Sequence, residues 1–187
     1  IDRKQAKTIN LGMMYGMGRG KLGSQLGLDM DDAKEVFEKY HATVPFVKAL
    51  TEGTQRKAAD VGEIRTLLGR VCRFDMWEPN MYGLHQALKK EEAERKHGGM
   101  NRIRRAFTYR ALNRLIQGSA ADQTKKAMVD IFKEGITPLI QVHDELDISI
   151  YDEDQKKRII EIMENTVPLR VPSQIDCEAG PSWGEIG

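Results

Sequence analysis

The chain has 187 residues, 40% of them hydrophobic, and its 29 Lys and Arg almost cancel its 28 Asp and Glu, leaving a formal net charge of +1. That much apolar material buries one domain of ordinary size or two small ones, which excludes a disordered segment. No apolar run reaches membrane-spanning length, the start is too charged and Gly-rich for a secretory signal, and Cys72 and Cys177 form no Cys-x-x-Cys pair. A membrane span, a zinc site and a disulfide framework are therefore not expected, and a cytoplasmic chain with reduced thiols is.

Taken in chain order, the pattern predicts a helix over residues 2 to about 15, ending at Gly16, Gly18 and Gly20. A second helix runs from about Asp31 to His41, with Asp29 to Asp32 as cap candidates, and a third from Pro45 to about Val61. The β-branched and aromatic stretch "VGEIRTLLGRVCRFDMWEP" suits a hairpin around Gly69. Tyr82 to His97 reads as a charged, solvated helix closed by Gly98-Gly99. The longest helical pattern follows, from about Asn101 to Glu134, interrupted only by Gly118 and closed by Gly135. Then "TPLIQVHDELDISIY" changes period: Leu139 to Val142 and Leu146 to Ile150 are strand-like runs flanking His143-Asp144-Glu145. A helix from about Glu153 to Thr166 and a short strand near Ser173 to Cys177 complete an α/β (α+β) pattern with a small antiparallel sheet.

The charge balance conceals segregation. Arg3, Lys4, Lys7, Arg19 and Lys21 crowd the start, Arg102, Arg104, Arg105, Arg110 and Arg114 crowd the middle, and the chain from Asp144 onward is mostly acidic. Basic surfaces beside a separate carboxylate cluster suit an enzyme that handles a polyanion with a metal, although solvated faces give the same asymmetry.

Three constellations carry chemistry. Arg3, Lys7, Leu11 and Tyr15 fall four residues apart, and each such step on a helix climbs about 6 Å while turning only about 40° past a full revolution. One ligand can touch all four: the cations suit successive phosphates, Leu11 a sugar, and the Tyr15 ring a base. An amphipathic helix whose cations face water has the same spacing. Asp144 and Glu145 stand at the bend between two apolar strands, where a carboxylate can ligate Mg²⁺ together with substrate phosphates, or can simply belong to a turn. Asp147 alternates to another face, and His143 suits an orienting or packing role better than ligation. Finally, Arg110, Asn113 and Gln117 share a helix face. Their donors match the acceptors that every base pair presents in the minor groove, so they can sense pairing without reading sequence, though each is also an ordinary surface residue.

In this order the three constellations resemble the DNA polymerase I family, also called family A DNA polymerases. The opening is similar to the fingers motif Arg-x-x-x-Lys-x-x-x-Phe/Tyr-Gly-x-x-Tyr-Gly at Arg3, Lys7, Gly12, Tyr15 and Gly16. "RALNRLIQGSAAD" resembles the helix beneath the primer-template terminus, and "QVHDE" the palm motif that carries a catalytic aspartate. The similarity extends to the closing "GPSWGEI".

The resemblance implies that Arg3 and Lys7 bind the incoming dNTP, with Lys7 also catalytic, and that Leu11 and Tyr15 complete the nucleotide site. Asp144 would hold the metal, two Mg²⁺ ions being the family's cofactor, and Glu145 would assist at its edge. Arg110, Asn113, Gln117 and His143 would hold primer-template DNA. The implied reaction is in-line attack of the primer 3′-hydroxyl on the α-phosphate. Leu11 stands where the family usually has Phe or Tyr beside the sugar, which puts discrimination against dideoxynucleotides in question and points to a viral member, in bacterial or phage-infected host cytoplasm. The first palm motif, with the other metal-binding aspartate, would precede the fingers helix. The resemblance thus implies a C-terminal fragment, residues 1–103 being partial fingers and 104–187 the C-terminal palm, inactive until joined to an upstream polypeptide bearing that aspartate and the thumb. A metal-dependent phosphohydrolase centred on His143-Asp144 is the main rival, but His41, His85 and His97 lack matching ligand spacing. A noncatalytic nucleic-acid-binding subunit is the other, and it has no need of Asp144.

Overall fold

The computed structural model describes residues 2–185. It divides into two compact units between Ile116 and Gln117.

The first unit opens with three helices. Helix α1 (Arg3–Met14) starts with a reciprocal cap: the Asp2 carboxylate accepts the Gln5 amide at 2.7 Å, and the Gln5 side chain accepts the Asp2 amide at 3.0 Å. It ends because Gly16 takes φ +80, which lets the Met17 and Gly16 amides reach back to the carbonyls of Gly12 and Met13 at 2.8 and 3.1 Å. This double return closes the helix without help from another element. The helix ends before the glycines, as expected, but a second, unexpected helix follows. Gly18 adopts extended backbone as the N-cap of α2 (Arg19–Leu26), so Gly20 lies inside a helix that the glycine content masked. Helix α3 (Met30–Thr43) is capped by Asp29, whose carboxylate accepts the Asp31 and Asp32 amides. The three pack around Ile9, Met13 and Leu22 with Phe37 and Tyr40 against them.

Pro45 at the first position starts α4 (Pro45–Val61), as expected, and Gly62 ends it at φ +82. Strands β1 (Glu63–Arg65) and β2 (Val71–Arg73) form the expected hairpin in the register Ile64↔Cys72. Ile64, Phe74, Ala58 and Ala111 bury together beneath it. Strand β3 (Met76–Pro79) leaves that hairpin and stands at the centre of a separate antiparallel sheet, between β4 (Leu88–Lys89) and β5 (Ile103–Arg105).

That sheet corrects two expectations. The helix expected from Tyr82 is only α5 (Lys90–His97), because Gly83 takes φ +126 and Leu88 and Lys89 pair with β3. The long helix expected from Asn101 begins ten residues later, because Ile103–Arg105 is drawn into the sheet and Phe107 takes the left-handed φ of 62. Trp77, Leu88, Ala93 and Ile103 give this β3–β4–α5–β5 module a core of its own.

Helix α6 (Ala111–Lys133) runs through Gly118 without a break, and the division between units falls inside it. In the second unit β6 (Ile140–Val142) and β7 (Glu145–Asp147) form a tight hairpin, followed by α7 (Glu153–Asn165), whose N-cap Asp152 accepts the Gln155 amide at 2.7 Å. Ile131, Ile136, Ile159 and Ile162 form the core there, with Leu146 and Ile148 against them. The strand expected at Ser173–Cys177 is absent among the described residues. The segment is tethered by side chains instead: Glu164 accepts the Ile175 amide at 3.2 Å, and Gln123 donates to the Ser173 hydroxyl at 2.9 Å. The fold is thus α/β in content, mostly helical with small, wholly antiparallel sheets, as the pattern predicts.

Candidate functional site

On α1, Ile9 and Met13 are 8% and 2% exposed and turn into the three-helix core. Leu11 lies two residues from each, about 200° around the helix, and is 42% exposed. Arg3 and Lys7 are exposed on the same outward stripe, and Tyr15, half-buried, caps its end. The core therefore does not consume the stripe. Neither Arg3 nor Lys7 has a carboxylate partner among the described ion pairs, so both charges are available to an anion. Behind the helix, the Tyr40 hydroxyl donates to Asn10 at 2.9 Å, and burial raises the Tyr40 pKa.

Arg110, immediately before α6, and Asn113 and Gln117 within it are all exposed, three and four residues apart. Arg110 is not a loose cation. Its Nε donates to the Tyr109 hydroxyl at 3.0 Å, and its guanidinium lies 5.0 Å from the Phe107 ring centre and 5.2 Å from that of Tyr109. The left-handed Phe107 is what swings its ring beneath the arginine. Two aromatic faces and one acceptor hold a cation at a set orientation, removing rotamer freedom before any ligand arrives. Tyr109, itself 60% exposed, belongs with this group. The spacing argument missed it, although the cluster Phe107-x-Tyr109-Arg110 is visible in the sequence.

Neighbouring arginines are structural. Arg105 donates to the carbonyls of Ala59 at 3.2 Å and Phe74 at 3.0 Å, and lies 4.7 Å from the centre of the Trp77 ring, its cross-strand neighbour. Arg114 donates to Cys72 Sγ and the Arg73 carbonyl, both at 3.4 Å, over the Phe74 ring. Together they fasten the start of α6 to the β1–β2 hairpin and α4.

In the second unit the pairing Val142↔Glu145 leaves His143 and Asp144 as a two-residue turn. His143 takes φ 52, a left-handed conformation that His, like Asn and Asp, adopts more readily than most non-glycine residues. The Gln141 side chain donates to the His143 carbonyl at 2.8 Å and braces the bend. His143, Asp144 and Glu145 are all exposed there, so the structure brings these three together at one tip. With Leu146 and Ile148 packed inward, Glu145 and Asp147 share the opposite strand face.

Among the described residues no cluster of three or more His, Cys, Asp or Glu side chains could enclose a metal. Asp144 and Glu145 fit an incomplete Mg²⁺ site, since that ion takes one or two carboxylates and fills its other positions with phosphate and water. A second charged group, remote in kind, lines a cavity of about 340 Å³ with Asp130, Lys133, Arg158 and Glu161, but these charges satisfy one another. Hydrogen bonds from Lys126 and then Thr166 lower the Asp130 pKa to about 2.

A family model for DNA polymerase family A matches residues 1–185. A DNA-directed DNA polymerase of Pseudomonas phage M6 is 33% identical across 98% of this chain, which covers 29% of that protein. A thermostable DNA polymerase I of Thermus filiformis is 34% identical across 98% of the chain and 20% of its own length. Among solved structures, the POL domain of Pol1 from M. smegmatis, in complex with DNA primer-template and dNTP, superposes with a TM-score of 0.70 at 28% identity, over 91% of this chain and 28% of that one. The chain spans well under a third of the length of these relatives.

Proposed function

This chain belongs to DNA polymerase family A, and from that premise we propose that it forms the C-terminal part of a DNA-directed DNA polymerase, adding dNTPs to a primer 3′ end. The observation that carries the reading is the outward stripe of α1, where two unpaired cations, a half-exposed Leu11 and Tyr15 lie along a helix whose opposite face supplies the core. Arg3, Lys7 and Leu11 on that stripe are exposed, so the core does not account for them.

Within this reading Arg3 and Lys7 bind the triphosphate, and Lys7 also stabilises charge on the departing phosphates. Leu11 sits beside the sugar and Tyr15 behind the base. Arg110, held by Phe107 and Tyr109, acts with Asn113 and Gln117 on the minor-groove edge of primer-template DNA, and His143 contacts the primer end. Asp144 would hold Mg²⁺, with Glu145 assisting; when bound, two such ions supply charge stabilisation to the entering and leaving oxygens. The subdomain reading assigns residues 1–103 to the fingers and 104–187 to the palm. The remaining ligands would come from an upstream polypeptide carrying the first palm aspartate and the thumb. The exposed β6, with Leu139, Ile140 and Val142 between 41% and 63% accessible, supports such a neighbour, because an apolar two-stranded hairpin is a fragment of a sheet.

The test is primer extension by the purified chain, alone and mixed with an upstream family A fragment ending before Ile1. Synthesis only on mixing, lost when the upstream aspartate becomes Asn, is the expected outcome. Robust templated synthesis by the chain alone would refute the split site, and none under any pairing would refute the polymerase reading.

A further inference from the structure

The β3–β4–α5–β5 module contains an interaction surface that plays no part in the reading above. Residues 76–105 hold seven cations against four carboxylates. The cross-strand pair Arg104–Glu78 and the helical pair Lys90–Glu94 neutralise two of each, and Arg105 is spent on backbone carbonyls. Lys89, Arg95, Lys96 and Arg102 remain exposed and unpaired.

Their placement is not uniform. Helix α5 has Glu91 and Glu92 in its first turn and Arg95, Lys96 and His97 in its last. It runs about 12 Å, from β4 to the Gly98-Gly99 turn, where the Arg102 side chain approaches Gly98. At that same end the Asn80 amide donates to the Arg102 carbonyl at 2.8 Å, rooting the loop that leaves β3. The loop then presents Met81 at 66% exposure and Tyr82 and Leu84 at 105%, with Met100, at 44%, beside Arg102. A helix-dipole preference accounts for the order of charges along α5. It does not account for a fully solvated tyrosine and leucine on the same end, which cost solvation and bury nothing in the chain.

We propose that this end of the module is a binding surface for single-stranded DNA. A solvated loop bearing an aromatic ring, set among unpaired Arg and Lys, matches what an unpaired strand offers: a base face to stack and a phosphate every nucleotide to neutralise. A protein partner would suit Met81 and Leu84 but would leave Arg95, Lys96 and Arg102, the three cations at this end, without a counterpart. The proposal concerns the module alone and stands or falls separately from the polymerase reading, because its readout is binding rather than synthesis.

The experiment uses the full 187-residue chain and a fluorescein-labelled thymidine oligonucleotide, followed by anisotropy across a salt series, with a 5-iodouracil version for photo-crosslinking. The expected results are a crosslink to the peptide containing Tyr82, about tenfold weaker binding for Tyr82→Ala, and near-parental binding for Tyr82→Phe. The triple variant Arg95→Ala, Lys96→Ala, Arg102→Ala should bind more weakly and lower the slope of log Kd against log salt by about 2. Unchanged Trp77 emission, read in a Trp183→Phe background, certifies the fold of each variant. Crosslinks confined to α1 or α6, together with unchanged affinity in both the Tyr82→Ala and the triple variant, overturn the proposal. So does an effect of Tyr82→Ala on self-association in sedimentation with oligonucleotide affinity intact, which would make the loop a protein contact.

Discussion

Arg105 and Gly62 are coupled, and a double-mutant cycle measures the coupling. The Arg105 guanidinium donates to the Ala59 and Phe74 carbonyls and covers Trp77, so it joins the end of α4, the chain after β2 and the central strand of the module. Two charge-assisted hydrogen bonds, partly solvated, and one cation–π contact add to about 3 kcal/mol lost in Arg105→Ala. With an m-value of about 2 kcal/mol/M, the urea midpoint falls by about 1.5 M. Gly62 leaves room for that guanidinium: a Cβ there would stand 2.5 Å from the Arg105 Cζ, at φ +82. Gly62→Ala therefore costs about 1–2 kcal/mol for the left-handed backbone and about as much again for displacing Arg105. Without the arginine the second cost vanishes, so the double variant should be about 1–2 kcal/mol more stable than additivity allows. The assay is urea unfolding followed by Trp77 emission in a Trp183→Phe background. Additive energies, or an Arg105→Ala loss below about 0.5 kcal/mol, would refute the reasoning.

Asp144→Asn, in the enzyme reconstituted with its upstream part, should nearly abolish primer extension while leaving primer-template affinity within about twofold, read by single-turnover extension and anisotropy. Leu11→Tyr should raise dideoxynucleotide use relative to normal nucleotides, as the ratio of the two kcat/KM values; an unchanged ratio makes Leu11 a packing residue. Asp130 has a folded pKa near 2 against 3.8 unperturbed, so its contribution is complete above about pH 4 and lost as the pH falls through about 2. Asp130→Asn should accordingly cost about 1 kcal/mol at pH 7, allowing for solvent screening, and flatten the acid limb of stability in urea titrations between pH 5 and 2.

Much of this was legible in the sequence because the signals were local. The α1 stripe, the helix from Pro45 to Val61 and the acidic hairpin each depend on residues within one turn or one bend. The misreadings share a cause. Ile103–Arg105 has a helical neighbourhood, but its partner is Met76–Pro79, a pairing across more than twenty residues that no window contains. Leu88 and Lys89 were drawn out of helix by the same strand. Glycine counts hid α2, since Gly18 acts as a cap and Gly20 as an interior residue. At the candidate site, spacing found Arg110 but not the Phe107–Tyr109 clamp, which exists only because Phe107 adopts a backbone conformation that its side chain disfavours.

The hairpin that presents Asp144 has one dressed side and one bare one. Strand β7 sends Leu146 and Ile148 into the core, whereas every residue of β6 is exposed and its ladder has β7 alone. In hydrogen exchange the β6 amides should open by local separation at a small fraction of the free energy that protects α6, and deuterium should enter β6 while the isoleucine core is still closed. The stiffness that Asp144 would need in its proposed metal-binding role is thus not intrinsic to the strands that carry it, and slower β6 exchange on adding an upstream fragment would time the moment at which that tip becomes rigid.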